Sequence, residues 1–239
     1  GIYIYNYTGN FNLLFWLSLA IAFVGFLCSA TVKIPAREIV RKKPKLDLDH
    51  FFLTRAWLMA INICLFGLCW GVMSNYVALY AEEKLGITDG TGIFFAILSG
   101  GLVLSRLSGH KSLRDGNITG SCAIGVCLSL AGYALFAAVP APWAYYVSAF
   151  LIGLGNGRMY PAFLNMFVKT ARHDQRGTAN SSILISWDFG MGLGILTGGV
   201  MAEYLGFRAA FWTVAAIQCT GTLMFLLFTR TFYLRRRIS

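Results

Sequence analysis

Seven uninterrupted apolar runs make up most of this 239-residue chain and limit the folds open to it. Between them they contain only two charged residues, Arg158 and Asp188. A helix that crosses the roughly 30 Å hydrocarbon core of a bilayer needs about 20 apolar residues, and six of the runs are long enough. The runs are 11–32, 56–80, 90–105, 118–139, 142–168, 178–201 and 209–229.

The third run is short, but we expect it to span the membrane as well. Residues 85–89 can extend its outer end, and Arg106 can place its charge at the opposite interface. Runs of this length without two-residue alternation predict helices, because hydrocarbon cannot satisfy an open backbone. Only 13% of the residues are charged and 57% are hydrophobic, whereas soluble domains have about 25% charged residues. The sequence predicts an all-α membrane protein with seven transmembrane helices.

The positive charges mark one side of the membrane. Seventeen of the twenty basic residues lie in loops 33–55, 106–117 and 169–177 or in the tail from residue 230. By the positive-inside rule these segments are cytoplasmic, so the amino terminus lies outside and the carboxyl terminus inside. A nucleic-acid-binding surface needs its basic residues on one accessible face. The net charge of +10 therefore indicates loop topology and no nucleic-acid partner.

The start of the chain has an unusual charge order. Residues 1–10 contain no Met and no basic segment, and the basic cluster follows the first apolar run, which is the reverse of a signal peptide. We expect that earlier spans are missing and that the chain is the carboxyl-terminal piece of a longer protein. The basic segment 33–50, with Pro35 and Pro44, is typical of a cytoplasmic linker between bundles, although an ordinary topology-fixing loop is an equal alternative.

Metal and cofactor sites are not predicted. All six cysteines lie inside the apolar runs and none has CxxC spacing, which favours packing over disulfides or metal ligands. His50, His110 and His173 lie in loops without a second nearby ligand. We expect neither a metal nor a bound cofactor.

Arg158 and Asp188 are the first candidates for transport or coupling, because intramembrane charges usually face a bundle interior or a water-filled path. Each lies ten residues from the predicted cytoplasmic end of its run, or about 15 Å deep. The two could pair directly or through water. One interpretation is that the pair only stabilises packing; the other is that Asp188 titrates during transport or that Arg158 attracts an anionic substrate.

Polar and aromatic residues on two runs are candidates for a substrate cavity, although packing is an alternative for each. The second run repeats them on one face at spacings of four and three. Around Arg158, the sequence GLGNGRMYPAF predicts a kink or local unwinding, because Pro161 lacks a donor and glycines weaken a helix. The cavity candidates are Asn62, Phe66, Met73, Tyr76, Asn156 and Tyr160.

Glycines in the sixth run recur every four residues, at Gly190, Gly194 and Gly198. This small-xxx-small pattern lets two helices approach closely. We expect these glycines, with Gly199, to serve helix packing.

Three segments resemble the major facilitator superfamily. Gly109, Arg114 and Gly116 match part of its GxLxDRxG loop motif. The glycines of the sixth run, from Gly190 to Gly199, are similar to the gxxxGPxxGG pattern of family antiporters, with Ile195 in place of its Pro. Residues 205–211 are similar to the short external turn that enters the last family helix.

The resemblance implies a twelve-helix transporter of which this chain is the carboxyl-terminal half. Because the loop motif follows the second helix of each six-helix half, residues 1–32 would be the last helix of the amino-terminal bundle. Residues 33–50 would then be the central linker and 51–239 the carboxyl-terminal six-helix bundle. The segments RGTA and DFG look most like bacterial inner-membrane exporters of drugs or sugars, which implies proton-coupled efflux by alternating access.

Other functions remain open from the residues alone. A seven-helix receptor without net flux fits the span count, and a symporter for uptake fits the same fold. A retinal protein needs a Lys in the last span, which has none. An enzyme is not predicted, since the spans contain no nucleophile-and-base constellation and no GxxxxGK loop. The expected partners are the lipid bilayer, a small-molecule substrate and the missing amino-terminal half.

Overall fold

The computed structural model describes residues 8–32, 52–88, 91–114 and 117–237, with the backbone alone for 109–114. The chain divides into two compact units, Gly1–Lys45 and Leu46–Ser239. The first contains helix α1 (Phe11–Ala30), which begins where the side chain of Asn10 accepts a 2.9 Å hydrogen bond from the backbone N–H of Asn12. Its 20 residues extend about 30 Å, the thickness of the hydrocarbon core. The expected linker 33–50 lies outside the described residues.

The second unit is entirely helical in its described ranges. A five-residue π-helical segment, Phe225–Thr229, joins the last two helices without a break, and 3-10 turns at Thr54–Ala56 and His173–Gln175 each precede another helix. The all-α prediction is therefore confirmed. The helices are α2 (Trp57–Leu85), α3 (Thr91–Arg114), α4 (Ile118–Ala138), α5 (Pro142–Thr170), α6 (Arg176–Leu205), α7 (Phe207–Met224) and α8 (Arg230–Arg236).

Six helical segments in the described ranges are long and apolar enough to cross a membrane. They correspond to α1, α2, α3, α4, α6 and the continuous α7–α8 segment. Helix α5 is 29 residues long but is not among the six, because Asn156, Arg158 and several glycines reduce its apolar content. It is nonetheless the helix against which both α3 and α4 pack.

The structure corrects the expected extension of the third span. Leu85 is the last residue of α2, which ends at Gly86 in the left-handed conformation with φ 65°. A residue with a Cβ would be strained in that conformation. Helix α3 therefore begins only at Thr91 and gains its length at the other end, with an apolar span of Thr91–Ser108. Unwinding near Pro161 is also absent, since α5 continues through this residue without interruption.

The bundle is organised by three extensive helix pairs, α2 with α6, α4 with α5 and α3 with α5. Glycines at these contacts bring backbone against backbone. A Cβ on Gly190 or Gly194 of α6 would collide with the carbonyl oxygens of Cys64 or Leu68 on α2. From the α2 side, a Cβ on Gly67 or Gly71 would collide with the carbonyl oxygens of Trp187 and Met191.

Two clusters of buried hydrophobic side chains fill the space between the pairs. One lies at the end of the bundle where α2 begins and centres on Phe66, Phe163 and Phe225. Phe163 stands 6.0 Å from Phe66 and 5.6 Å from Phe225 between ring centroids. The other lies toward the opposite end, where the ring of Phe136 stacks near Tyr80 and Phe211. These cores hold α2, α4, α5 and α7 in fixed positions and leave one side of the unit for a cleft.

Candidate functional site

A cleft of about 190 Å³ opens where four helices of the second unit meet. Three aromatic side chains form much of its wall, and two of them are in contact: the rings of Tyr160 and Trp187 meet edge to face with centroids 5.3 Å apart. The ring of Trp70 lies 6.5 Å from that of Trp187. The lining residues are Trp70 of α2, Leu102 and Arg106 of α3, Asn156 and Tyr160 of α5, and Trp187 of α6.

Asn156 supplies the neutral polar group of the cleft. It is only 8% exposed, and its Oδ1 accepts a 3.2 Å hydrogen bond from the hydroxyl of Ser129 on α4. The Nδ2 group has two N–H donors, so Asn156 can offer a hydrogen bond to a ligand. Arg106 adds a guanidinium with five donors and a positive charge. The cleft therefore combines flat apolar surface with donors for an acceptor group.

Asp188 borders the cleft, next to Trp187 on α6. Its carboxylate is close enough to Tyr160 to act electrostatically on that hydroxyl. The side chain is exposed, and so are its apolar neighbours Ile185 and Phe189, at 52% and 63%. A charged group on an apolar face in mid-helix is costly in contact with acyl chains. This face of α6 is therefore suited to water or to another protein segment.

Arg158 lies on the other side of α5 from the cleft. It is two residues from both Asn156 and Tyr160, or roughly 200° around the helix. Its Nη2 donates a 3.0 Å hydrogen bond to the hydroxyl of Ser108 on α3. Within the described ranges, the single ion pair is Lys84 with Glu83, so Arg158 and Asp188 do not form one.

The structure divides the other cavity candidates between the cleft and the bundle interior. Asn156 and Tyr160 line the cleft, whereas Asn62, Phe66 and Met73 are at most 2% exposed. Asn62 donates a 2.8 Å bond from Nδ2 to the carbonyl of Gly221 on α7, which ties two helices together. These three residues occupy packing positions, the alternative that the sequence left open.

Tyr76 and the glycines of α6 belong to the α2–α6 contact. The hydroxyl of Tyr76 donates a 2.7 Å hydrogen bond to the carbonyl of Ile195. A Cβ on Gly198 would lie 3.0 Å from the ring of Tyr76, and one on Gly199 would lie 2.6 Å from its hydroxyl. Of the loop-motif residues, Gly109 lies in α3 and Arg114 ends it, whereas the side chain of Arg114 and the whole of Gly116 lie outside the described part of the structure.

Sequence reasoning missed three residues of the cleft, Trp70, Arg106 and Trp187. Arg106 was assigned to the membrane interface, and both tryptophans were left unassigned. The sequence did contain a signal for the two tryptophans, which is their depth in the membrane. Tryptophan is enriched at the membrane–water interfaces, whereas these two stand in the middle of their helices, in α2 and beside Asp188 in α6.

No group of three or more His, Cys, Asp or Glu side chains that could hold a metal occurs among the described residues. The lining of the cleft offers aromatic stacking, hydrogen bonding and charge. These are the means by which proteins bind a small organic molecule reversibly.

The second unit matches a known family in sequence. The sequence profile of the Major Facilitator Superfamily matches residues 121–237, from α4 to the end of α8. The chain belongs to the major facilitator superfamily. This family consists of transporters and not of enzymes, in agreement with the sequence prediction.

Relatives within the superfamily extend the match to nearly the whole chain. It is 22% identical over 226 residues to the "Uncharacterized MFS-type transporter YhhS" of Escherichia coli K12, which covers 94% of this chain and 54% of that protein. The Salmonella typhimurium protein of the same name is 22% identical over 210 residues, covering 86% of this chain and 51% of that protein. The chain thus spans about half the length of these relatives.

Solved structures show that the fold is that of the superfamily. A bacterial homologue of the human lysosomal transporter Spinster, in an inward-facing and unoccupied conformation, has a TM-score of 0.60 at 15% identity, covering 91% of this chain and 58% of that one. The peptide transporter POT with sulfate has a TM-score of 0.62 at 18% identity, covering 72% and 37%. The protein is therefore an integral membrane protein with a major facilitator fold.

Proposed function

We propose that the chain is the carboxyl-terminal half of a secondary transporter that moves a small molecule across the membrane by alternating access. In this proposal α1 is the last helix of an amino-terminal bundle, residues 33–50 are the central linker, and 51–239 are the second bundle. The observation that carries the proposal is the cleft, because four of the helices in one bundle contribute aromatic and polar side chains to it. Sites between two bundles near mid-membrane are typical of alternating-access transporters.

The cleft favours a neutral or anionic substrate with one flat apolar surface. The rings of Trp70, Tyr160 and Trp187 offer a stacking surface. Arg106 and the Nδ2 of Asn156 offer donors for a hydroxyl, carbonyl or carboxylate oxygen. Drug-like aromatic molecules and sugars both have this combination, since the apolar face of a sugar ring also stacks on tryptophan.

Asp188 is our candidate for the proton-coupling residue. It lies on the exposed face of α6, and closure of the cleft against the other bundle would bury it among apolar groups such as Phe189. Burial of an ionised carboxylate is costly, whereas a protonated one can be buried with a hydrogen bond. Proton binding would therefore favour the closed arrangement of the two bundles, and proton release would favour the open one. The movement of protons would thus be coupled to the conformational change.

Vesicle transport by the complete protein tests this role of Asp188. Everted inner-membrane vesicles with an acidic interior should accumulate radiolabelled chloramphenicol or lactose, an aromatic drug and a sugar. In the variant Asp188→Asn, accumulation should fall to the level reached without a proton gradient, because the neutral amide cannot carry a proton. Substrate exchange without a gradient should persist, since the cleft itself is unchanged.

The matched control is Asp174→Asn, which removes an exposed carboxylate in the 3-10 turn before α6. It should transport like the unmodified protein. Equal loss of gradient-driven accumulation and exchange in Asp188→Asn would refute the coupling role and assign the residue to folding or binding. Accumulation in right-side-out vesicles in place of everted ones would overturn efflux in favour of uptake by symport.

The half-transporter assignment has a separate test. The reading frame upstream of residue 1 should encode five further apolar spans, because α1 would be the sixth helix of twelve. A frame without them would refute the division into bundles at residues 33–50. In bacteria such a protein would reside in the inner membrane with its carboxyl terminus in the cytoplasm, the side that the basic residues favour.

A further inference from the structure

A second cavity lies on the outside of the bundle, at the end where α2 begins and α8 finishes. It has a volume of about 360 Å³ and no residue in common with the substrate cleft. Its lining falls into two parts, an apolar part and a part with two arginines. The lining residues are Leu58, Leu227, Phe228, Thr231, Phe232, Arg235 and Arg236.

The two parts are separated along the helix axis. Leu227 and Phe228 lie eight residues before Arg235 and Arg236, a distance of about 12 Å along a helix. Both apolar side chains are more than 60% exposed, so they are available for contact with the acyl chains of a bilayer. The arginines stand at the end of the chain where the charge distribution predicts the cytoplasmic surface. The lining of the cavity therefore changes from apolar side chains to arginines over about half the thickness of one lipid leaflet.

Arg236 is held in place by its surroundings. Its Nη1 donates a 3.2 Å hydrogen bond to the backbone carbonyl of Arg55, and its guanidinium lies 4.3 Å from the ring centroid of Phe232. Phe232 is itself in edge-to-face contact with Trp57, at 5.8 Å and 83°. Two helix ends thus fix this guanidinium before any ligand arrives, and a pre-ordered donor loses less entropy on binding.

The positive charge of the cavity has no protein counter-charge in the described ranges. The ion pair found there, Lys84 with Glu83, is at the opposite end of α2. Arg235 and Arg236 retain donors that can bind phosphate oxygens in bidentate fashion. Thr231 adds a hydroxyl between the arginines and the apolar wall.

We propose that this cavity binds an anionic phospholipid from the cytoplasmic leaflet. The phosphodiester would lie between Arg235 and Arg236, with Thr231 near the glycerol backbone and the first acyl carbons against Leu58, Leu227 and Phe228. Basic pockets between membrane helices on the cytoplasmic side are suited to such head groups. A zwitterionic lipid has the same acyl chains but no net charge for the arginines to neutralise.

Native mass spectrometry of the complete, detergent-purified protein tests the proposal with phosphatidylglycerol as the probe. Phosphatidylcholine serves as the zwitterionic comparison and inorganic phosphate as the head-group comparison. Each arginine near an anionic surface contributes about a fivefold gain in binding. The variant Arg235→Gln/Arg236→Gln should therefore retain roughly 25-fold less phosphatidylglycerol, while its weak phosphatidylcholine binding should not change.

The matched control is Arg230→Gln/Arg237→Gln, which removes the same charge from the ends of the same helix without altering the cavity lining. It should bind phosphatidylglycerol like the unmodified chain. Thr231→Trp provides a second test, because it fills the cavity and keeps both arginines, and it should also lose the lipid.

Three results would overturn the proposal. If the control and the cavity variants lost the same amount of bound phosphatidylglycerol, the lipid would be held only by a diffuse attraction to basic residues. Equal retention of phosphatidylglycerol and phosphatidylcholine would show an apolar groove without head-group recognition. Complete displacement of the lipid by millimolar inorganic phosphate would show a free-anion site.

Discussion

The glycine contact between α2 and α6 gives the sharpest prediction about stability. Substitution of Gly194 by Ala adds a methyl group that would lie 2.9 Å from the carbonyl carbon and 3.0 Å from the Cα of Leu68. Ordinary contacts of a Cβ are 3.4–4 Å. Because the opposing atoms are backbone, no side chain can rotate away, and the two helices must separate by several tenths of an ångström.

The size of the effect follows from two opposing terms. Overpacking of this kind costs about 1–3 kcal/mol, and the better helix propensity of Ala returns about 1 kcal/mol. For a domain of this size, 1 kcal/mol corresponds to about 2–4 °C in Tm. The double variant Gly190→Ala/Gly194→Ala repeats the collision one turn away, against Cys64. With a mid-range net cost of about 1 kcal/mol at each site, it should lower the Tm by about 4–8 °C.

Gly192 offers a control on the same helix. A Cβ there meets nothing within 4 Å, so Gly192→Ala has only the propensity gain and should leave the Tm unchanged or raise it by a few degrees. A thiol-reactive fluorophore can measure unfolding of the detergent-purified chain, since Cys69 and Cys122 are fully buried. Equal Tm values for Gly192→Ala and Gly190→Ala/Gly194→Ala would refute the close-contact reasoning.

Two further substitutions test individual contacts. Tyr76→Phe removes the 2.7 Å bond to Ile195 and should cost about 1 kcal/mol, or about 2–4 °C in Tm, in the same assay; an unchanged Tm would contradict a role for this hydroxyl in joining α2 to α6. Trp187→Leu removes the ring that contacts both Tyr160 and Trp70 and should raise the KM for transport about fivefold, since one stacked aromatic contributes about 1 kcal/mol. An unchanged KM would remove Trp187 from the substrate site.

The helical class and the number of long helices could be predicted from the sequence, because continuous apolar runs have few structural solutions in a membrane. The repeat of Gly190, Gly194 and Gly198 likewise indicated a close helix contact before any coordinates. Periodicity could not identify the partner helix. That partner is α2, whose own Gly67 and Gly71 complete the contact.

The candidate site was harder to predict, because a polar stripe on a helix has the same period whether it faces a cavity or a neighbouring helix. Asn62 and Asn156 are both asparagines in apolar spans, yet Asn62 bonds to the backbone of α7 and Asn156 lines the cleft. Their roles depend on which helices stand beside them, which is a property of the tertiary arrangement. Arg158 was matched to Asp188 by depth alone, whereas the direction of its side chain around α5 brings it to Ser108.

The composition of α5 has a consequence for how the protein enters the membrane. This helix contains both Arg158 and Asn156 and is not apolar enough by itself to count among the spans. An arginine at the centre of an inserting helix costs about 2.5–3.5 kcal/mol. Its hydrogen-bond acceptor is Ser108 on α3, and the close neighbour of its Cβ is Gly125 on α4. Stable insertion of α5 during synthesis is therefore expected to wait for α3 and α4, so that this helix is inserted with the help of two helices translated before it.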